Sequence, residues 1–305
     1  MSYYTLPFIS HDAGGVVAGG SGRGLFWGGN SSSNTIQYVS IPTNSDTSDF
    51  GDMIAGRWYL SGLSSSTRGL CSGGWNGSAI SVAMDYVTIA TTGNSADFGD
   101  QSGGRGSSCS GLSSETRGIW SGGRTTGFTD VNVIDYMTIA TTGNCTDFGN
   151  LTAGRLGQCG TNSTTRGLIN GGSQNGGGAG LPTIEYVTIA TTGDSTDFGD
   201  LTYNSAWGAG MCSATRSVVA GGKTTNNIDY TTIATTGNGT DFGDMTNSED
   251  DICGMSTLVK GVIAGGTRVQ IDTIVIATTG NATDFGDVVS AFFAPGACSD
   301  SHGGL

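Results

Sequence analysis

One phrase constrains this chain more than any other feature: Ile134-Asp135-Tyr136-Met137-Thr138-Ile139-Ala140-Thr141-Thr142-Gly143-Asn144-Cys145-Thr146-Asp147-Phe148-Gly149. It recurs in six versions, each closed by a Phe: Phe50, Phe98, Phe148, Phe198, Phe242 and Phe285. The spacings between those residues are 48, 50, 50, 44 and 43. Such a period is long enough for one four-stranded propeller blade and too short for an independent domain. Units that bury their faces only against neighbours form one architectural body, so the 305 residues are expected to form one domain.

Each repeat contains four segments bounded by turn chemistry. In the third, Gly106-Ser107-Ser108-Cys109-Ser110-Gly111-Leu112 is a small-residue strand, followed by Thr116-Arg117-Gly118-Ile119-Trp120-Ser121-Gly122-Gly123. A polar loop leads to the β-rich run Val133 to Thr141, and Thr142-Gly143-Asn144 turns it into the short strand Thr146-Asp147-Phe148. The third strand carries apolar residues on both faces, with Ile134 and Tyr136 on one and Met137 and Ile139 on the other. A half-solvated sheet would alternate apolar with polar, so this pattern suits a sheet packed between two others. The 55 glycines recur in register, which marks turns and strand ends and argues against linker.

The second strand opens on a basic residue: Arg23, Arg68, Arg117, Arg166, Arg216 and Lys260. From each Phe to the next of these the distance is held at 18 or 19, while the following half of the repeat varies from 25 to 32. The variation lies in the loop after the Gly doublet, which has 6, 9, 10, 11, 5 and 4 residues in successive repeats. Loops that vary on a constant frame are where a propeller carries specificity. The long copies, 75–83, 124–133 and 173–183, are consecutive and predict a lopsided contact surface. Its candidate residues are Trp75, Asn76, Arg124, Thr125, Phe128, Gln174 and Asn175, with Trp75 and Arg124 of the types enriched at contact hot spots.

Blade units are expected at 13–52, 53–100, 101–150, 151–200, 201–244 and 245–287. After Phe285 the tail supplies the small-residue strand of a further unit, and Ser2-Tyr3-Tyr4-Thr5-Leu6 resembles a third strand. Segments 288–305 and 1–12 therefore predict a shared seventh blade that closes the ring; six blades is the alternative.

Charged residues are 12% of the chain, yet its net charge is −13. Such a chain releases no counterions from DNA or RNA, which argues against nucleic-acid binding and against anionic membrane surfaces. No run approaches the ~20 apolar residues of a membrane span. The N-terminus lacks the basic and apolar regions of a signal peptide, so secretion is not expected. Seven cysteines without paired spacings argue against a disulfide framework or a zinc site, and read as small buried thiols.

The repeated Asp-Phe-Gly lacks a phosphate loop and a His-Arg-Asp to make it a kinase motif, and reads as a core Phe flanked by turn-capping Asp such as Asp97 and Asp100. Paired carboxylates beside a Gly-Asn turn raise calcium, but their spacing matches no calcium loop. The six basic residues read as partners of a recurrent Asp that tie blades together; the competing reading is an anion-binding ring around the channel.

The order of small strand, strand ending in Gly-Gly, I-x-Y strand and terminal aromatic resembles the kelch repeat, marked by Gly73-Gly74, Tyr86, Phe98 and Arg105. The doublet is present six times; Phe stands where kelch repeats have Trp, and the inter-repeat Arg is clear as Arg57, Arg105 and Arg155. The resemblance implies an all-β propeller of four-stranded blades. Copper enzymes on kelch-type propellers use two His, two Tyr and a Cys crosslink; here His11 and His302 are the two histidines and neither sits in a ligand pattern. No cofactor and no enzymatic activity are expected.

The phrase Thr-Ile-Ala-Thr-Thr-Gly-Asn-x-Thr-Asp-Phe-Gly-Asp is also similar to repeats in structural proteins of tailed bacteriophages, notably those of cyanobacteria. That resemblance implies a virion component, a tail, fibre or capsid decoration protein, made in the host cytoplasm. Its partners would be other virion proteins, a host-surface glycan or receptor, or further copies of itself. A soluble lectin-like propeller is the alternative; repeated sugar sites would repeat their ligands blade by blade, and these loops do not.

Overall fold

The innermost strand of each sheet is built from small residues because six such strands converge on one axis. In the computed structural model, which describes residues 20–30, 33–103, 105, 110–223 and 225–305, the described residues form six four-stranded antiparallel sheets and no helix. The sheets are the blades of a β-propeller. Blade 2 is typical: Ser61–Ser64 is innermost, followed outward by Arg68–Ser72, Ala83–Thr88 and Ala96–Asp100.

Blade count is the point where the sequence expectation is corrected. The tail strand Gly296–Ser299 pairs with Arg23–Trp27 and becomes the innermost strand of blade 1, completed by Thr35–Ser40 and Ser48–Asp52. The tail was correctly expected to supply a small-residue first strand. It completes an existing sheet and adds no seventh one, so the ring has six blades, the alternative count. The segment expected as the other half of a closing blade, residues 1–12 with His11, lies outside the described residues, as does Cys109.

The core lies between blades. The side chains of Leu63, Leu70, Met84 and Phe98 in blade 2 pack on Trp120, Met137 and Ile139 of blade 3. Equivalent clusters fill the other five interfaces. Each third strand thus spends both faces on neighbours, as its two-sided apolar pattern requires. In five blades the closing Phe meets the Tyr of its own third strand edge-on, with centroids 5.9–6.2 Å apart. Such a pair is worth about 0.5–1.5 kcal/mol beyond burial. In blade 6 Thr273 replaces Tyr, and its hydroxyl donates to Gly261 O at 2.8 Å.

The Gly after each Phe explains the rest of the repeated phrase. At Gly99 φ is +135°, and a Cβ there would meet Gly143 O of the next blade at 2.5 Å. Across that contact Gly143 N donates to Phe98 O at 2.7 Å, and Asn144 Oδ1 accepts Asp100 N at 3.0 Å. The Thr-Thr-Gly-Asn turn of one blade therefore caps the outer strand of the blade before it. Asn94, Asp194, Asn238, Asn281 and Asp46 accept the corresponding N–H groups at the other junctions.

The channel is pinched at its waist. A Cβ on Gly62, Gly111, Gly160, Gly210 or Gly254 would fall inside the van der Waals radius of a carbonyl oxygen on the adjacent innermost strand. An upper cavity of about 80 Å³ and a lower one of about 60 Å³ adjoin at this ring and share its glycines as lining.

Candidate functional site: the upper face and its axial mouth

Most of the repeated residues singled out in the sequence serve the frame. Phe50, Phe98, Phe148, Phe198, Phe242 and Phe285 are buried plugs between blades. Arg23, Arg68, Arg117, Arg166 and Arg216 lie over Tyr38, Tyr86, Tyr136, Tyr186 and Tyr230, 4.2–4.7 Å from the ring centroids. Each also donates at 2.8–3.0 Å to a carbonyl of the next blade: Ile89, Ile139, Ile189, Ile233 and Ile276 in turn. Lys260 reaches Asn44 Oδ1 at 2.8 Å in the same way.

The expected pairing of these residues with a recurrent Asp is corrected. They do tie blades together, but through carbonyls, because they sit at the lower ends of the strands while the buried carboxylates face the upper ends. The carboxylates belong instead to the inter-repeat arginines. Arg57 meets Asp85 at 2.7 Å, Arg155 meets Glu185 at 2.8 Å, and Arg105 meets Asp135, all six side chains being 3% exposed or less. The same carboxylates also accept N–H groups from Ile54, Ser102 and Thr152. In blades 5 and 6, Asp229 and Asp272 hold Thr202 and Thr246 alike, but Ser205 and Glu249 stand at the Arg position. Burial pushes Asp229 up from the ordinary carboxylate value.

Of the turn Asp residues, Asp97 accepts Gly99 N at 3.2 Å. Among the described residues no group of three or more His, Cys, Asp and Glu is placed to hold a metal ion. Burial raises the thiols of Cys159 and Cys298 to about 12 and those of Cys71 and Cys253 further, which leaves them protonated and unreactive.

The three long loops all emerge on the upper face. Trp75 is half-buried and exchanges backbone hydrogen bonds with Trp58 at 2.8 and 3.1 Å. Asn76 Oδ1 accepts Ser78 N and Ala79 N, folding that loop tip on itself. In the next loop Thr125 closes a turn with Thr129, and Arg124 pairs with Asp130 at 3.4 Å. Arg124 also donates to Gly176 O at 3.3 Å, and Asp130 accepts Gly176 N at 3.0 Å, so the second and third loops are joined. Phe128 is left 68% exposed at φ +59°, beneath the Arg124 guanidinium. Gln174 O accepts Gly178 N, and Asn175 is exposed at φ +54°.

The sequence reading missed the mouth of the channel. In five repeats the chain turns into its innermost strand nine residues after the Phe, and there Tyr59, Trp207, Asp251 and Ala294 adopt φ of +52° to +58°, with Gly157 at +70°. A non-Gly residue in this region costs about 1 kcal/mol or more. Hydrogen bonds around the rim over-determine it: Tyr59 N to Ala294 O, Ala294 N to Asp251 O, Ile252 N to Trp207 O, and Trp207 N to Gly157 O. Gly157 is the position whose missing side chain makes room for the Trp207 ring. Lys223 Nζ lies 4.3 Å from that ring and donates to Gly177 O, so the third long loop reaches the mouth. Burial, with Asp250 alongside, pushes Asp251 up to about 7 against the opposing pull of Lys223, and Tyr59 is raised to about 12. The available signal was the repeat itself, for this position, like those on either side of it, changes character in every unit: Tyr, Ser107, Gly, Trp, Asp, Ala.

The lower mouth is closed by the segment 300–305. Ser64, Ser113, Ser256 and Ser299 each donate a side-chain hydrogen bond to a neighbouring innermost strand, and Asn162 donates likewise to Ser113 O. His302 sits across this ring, with Nε2 at 3.3 Å from both Ser64 O and Ser113 Oγ.

Neither a protein-family model nor a curated protein matches this chain. The class that fold and site define is a six-bladed β-propeller with an asymmetric upper face.

Proposed function

We propose that this chain is a non-enzymatic structural or adhesive component of a bacteriophage particle, making protein or host-surface contacts through its upper face. The observation that carries the binding reading is the contrast between frame and loops. The repeated Phe, Arg, Asp and Gly positions are consumed in joining blades, whereas the joined loops 124–133 and 173–183 hold Phe128 exposed in a strained conformation. Exposed aromatics on a rigid frame are the currency of contact surfaces. The virion assignment rests on the similarity of the repeated phrase to tailed-phage structural proteins, with kelch-like repeats as the related architecture.

Immuno-gold electron microscopy of purified particles, with antibody raised against this chain, tests the assignment. Gold at one fixed place on the virion supports it and separates tail from head. Unlabelled particles, with the protein free in the lysate, would remove it and bring the lectin-like alternative forward.

A further inference from the structure

Two departures of the repeat from its own pattern meet at the junction between blades 2 and 3. One core position of the third strand is Ile36, Ile134, Ile184, Ile228 and Ile271 in five blades, and Met84 in blade 2. One position of the turn ahead of the outer strand is Thr47, Ser95, Ser195, Gly239 and Ala282 in five blades, and Cys145 in blade 3. Across the junction Cys145 Sγ donates to Met84 Sδ at 3.5 Å. The frame needs neither replacement, since the equivalent positions at the junctions on either side hold Ile36 with Ser95 and Ile134 with Ser195. In those neighbouring blades the hydroxyl serves the third strand of its own sheet: Ser95 Oγ donates to Asp85 Oδ2 at 3.0 Å, and Ser195 Oγ donates to Glu185. In blade 3 the same position reaches across the junction to a thioether.

A thiol donating to a thioether is a proton held between two soft bases. Thiolate and thioether sulfurs are the ligands that select Cu(I) over harder divalent metals. A monovalent ion in the place of that proton leaves the net charge of the pair unchanged, so the fully buried Met84 meets no uncompensated charge. Zn²⁺ would leave a net positive charge, and among the described residues no group of three or more His, Cys, Asp and Glu is placed to complete its tetrahedron. Two sulfurs 3.5 Å apart can each lie roughly 2.3 Å from one ion, so they need hardly move to share it. Entry is from the side of Cys145, which is partly exposed. On the inner side the Trp120 Nε1–H donates to Met84 Sδ at 3.3 Å, which makes that indole a reporter of the thioether.

We propose that Cys145 and Met84 form a binding site for a soft monovalent cation of the Cu(I) class. On binding, the Cys145 S–H bond breaks, a bond from Sγ to the ion forms and the proton passes to solvent; no electron is transferred. This goes beyond the virion reading and stands without it, because both ligands belong to the isolated propeller.

The test uses the whole chain labelled with ¹⁵N at its five tryptophans, the Trp120 indole signal being assigned by Trp120→Phe. The probes are Ag(I) and, under argon, Cu(I) supplied as its bicinchoninate complex. Each is expected to move the Trp120 signal saturably, with one equivalent sufficing. Because a proton leaves for every ion bound, affinity should fall about tenfold for each unit by which pH is lowered. Met84→Ile should keep the fold, since five blades carry Ile there, and should weaken Ag(I) binding by about tenfold or more. Cys145→Ser, the residue of blades 2 and 4, should abolish the Trp120 response. Each variant removes one ligand, so either one alone decides the matter. A Trp120 response that survives Cys145→Ser would overturn the proposal and assign the ion to another thiol. Unchanged affinity in Met84→Ile would overturn it in favour of a cysteine acting by itself. Zn²⁺ binding as tightly as Ag(I) would overturn it in favour of a site without preference for soft ions.

Discussion

Asp300 and Arg23 are 277 residues apart in sequence, and the carboxylate of the first accepts the backbone N–H of the second at 2.9 Å. In other blades the same bond is local: Ser65, Ser114, Ser163 and Ser213 accept the N–H of Arg68, Arg117, Arg166 and Arg216 across a tight turn. Blade 1 has no covalent turn there. Asp300 replaces it, holding Ser21 N and Gly22 N as well, at 2.7 and 2.9 Å.

Asp300→Ala is accordingly expected to open the ring where nothing covalent supports it. Loss of three charge-assisted bonds should cost about 3 kcal/mol. Ser114→Ala removes the equivalent bond from an intact turn and should cost about 1 kcal/mol or less. Urea denaturation followed by tryptophan fluorescence separates the two; equal losses would mean the closure is not carried by Asp300.

The carboxylates of the third strands should divide into two classes. Asp85→Asn and Asp135→Asn strand a buried guanidinium and should cost about 3–5 kcal/mol. Asp229→Asn strands none and relieves a carboxylate that burial already disfavours, so its cost should stay near 1 kcal/mol. Chemical denaturation of the three variants gives the comparison directly. A loss at Asp229 as large as that at Asp85 would show that the Thr202 contacts, and not the ion pairs, are what the blades depend on.

Gly99→Ala places a methyl group against the Gly143 carbonyl of the next blade at a positive φ, and should destabilise by several times what Gly103→Ala does, since a Cβ there meets nothing within 4 Å. A loss of about 2–4 kcal/mol against a change within about 0.5 kcal/mol is expected from thermal unfolding.

How much of this was readable beforehand depends on whether a residue repeats. The Phe plugs, the two-sided third strand and the position of the Gly doublets follow from period and pattern, and the structure has them where the sequence placed them. The count of blades did not follow, because the tail 296–299 reads as a first strand without saying whose. The partners of Arg23 and its equivalents did not follow either. Numbers of Asp and Arg can agree while height along the blade separates them, and Asp85 belongs to Arg57. The mouth is illegible for the opposite reason: Tyr59, Trp207 and Asp251 share a backbone role and no side-chain chemistry, so no motif marks them.

Acid should loosen the lower mouth. His302 Nδ1 accepts Gly304 N at 3.1 Å, which places the ring proton on Nε2 toward Ser64 O; a second proton would confront the Gly304 N–H. Burial lowers this imidazole to about 4, against the opposing pull of Glu115 and Asp300. The folded state then binds fewer protons than the unfolded chain, so the contribution of His302 is full above about pH 6.5 and lost as pH falls toward 4. Melting temperatures of the native protein and of His302→Gln should converge over that window, and parallel curves would contradict the assignment.

Asp251 should act with the opposite sign. Its folded value, about 7, lies above the ordinary carboxylate value, so the folded state binds the extra proton between about pH 4 and 7. Stability from this residue declines as pH rises through that window. Asp251→Asn should therefore flatten the upper part of the stability profile, raising the melting temperature at pH 8 relative to the native protein while leaving pH 4 unchanged.

The glycine ring has a consequence for how the blades hold one another. At Gly62, Gly111, Gly160, Gly210 and Gly254 each innermost strand lies against a carbonyl of its neighbour. The strands that meet there are only four or five residues long in most blades, and a side chain larger than hydrogen at any of these positions would force the blades themselves apart.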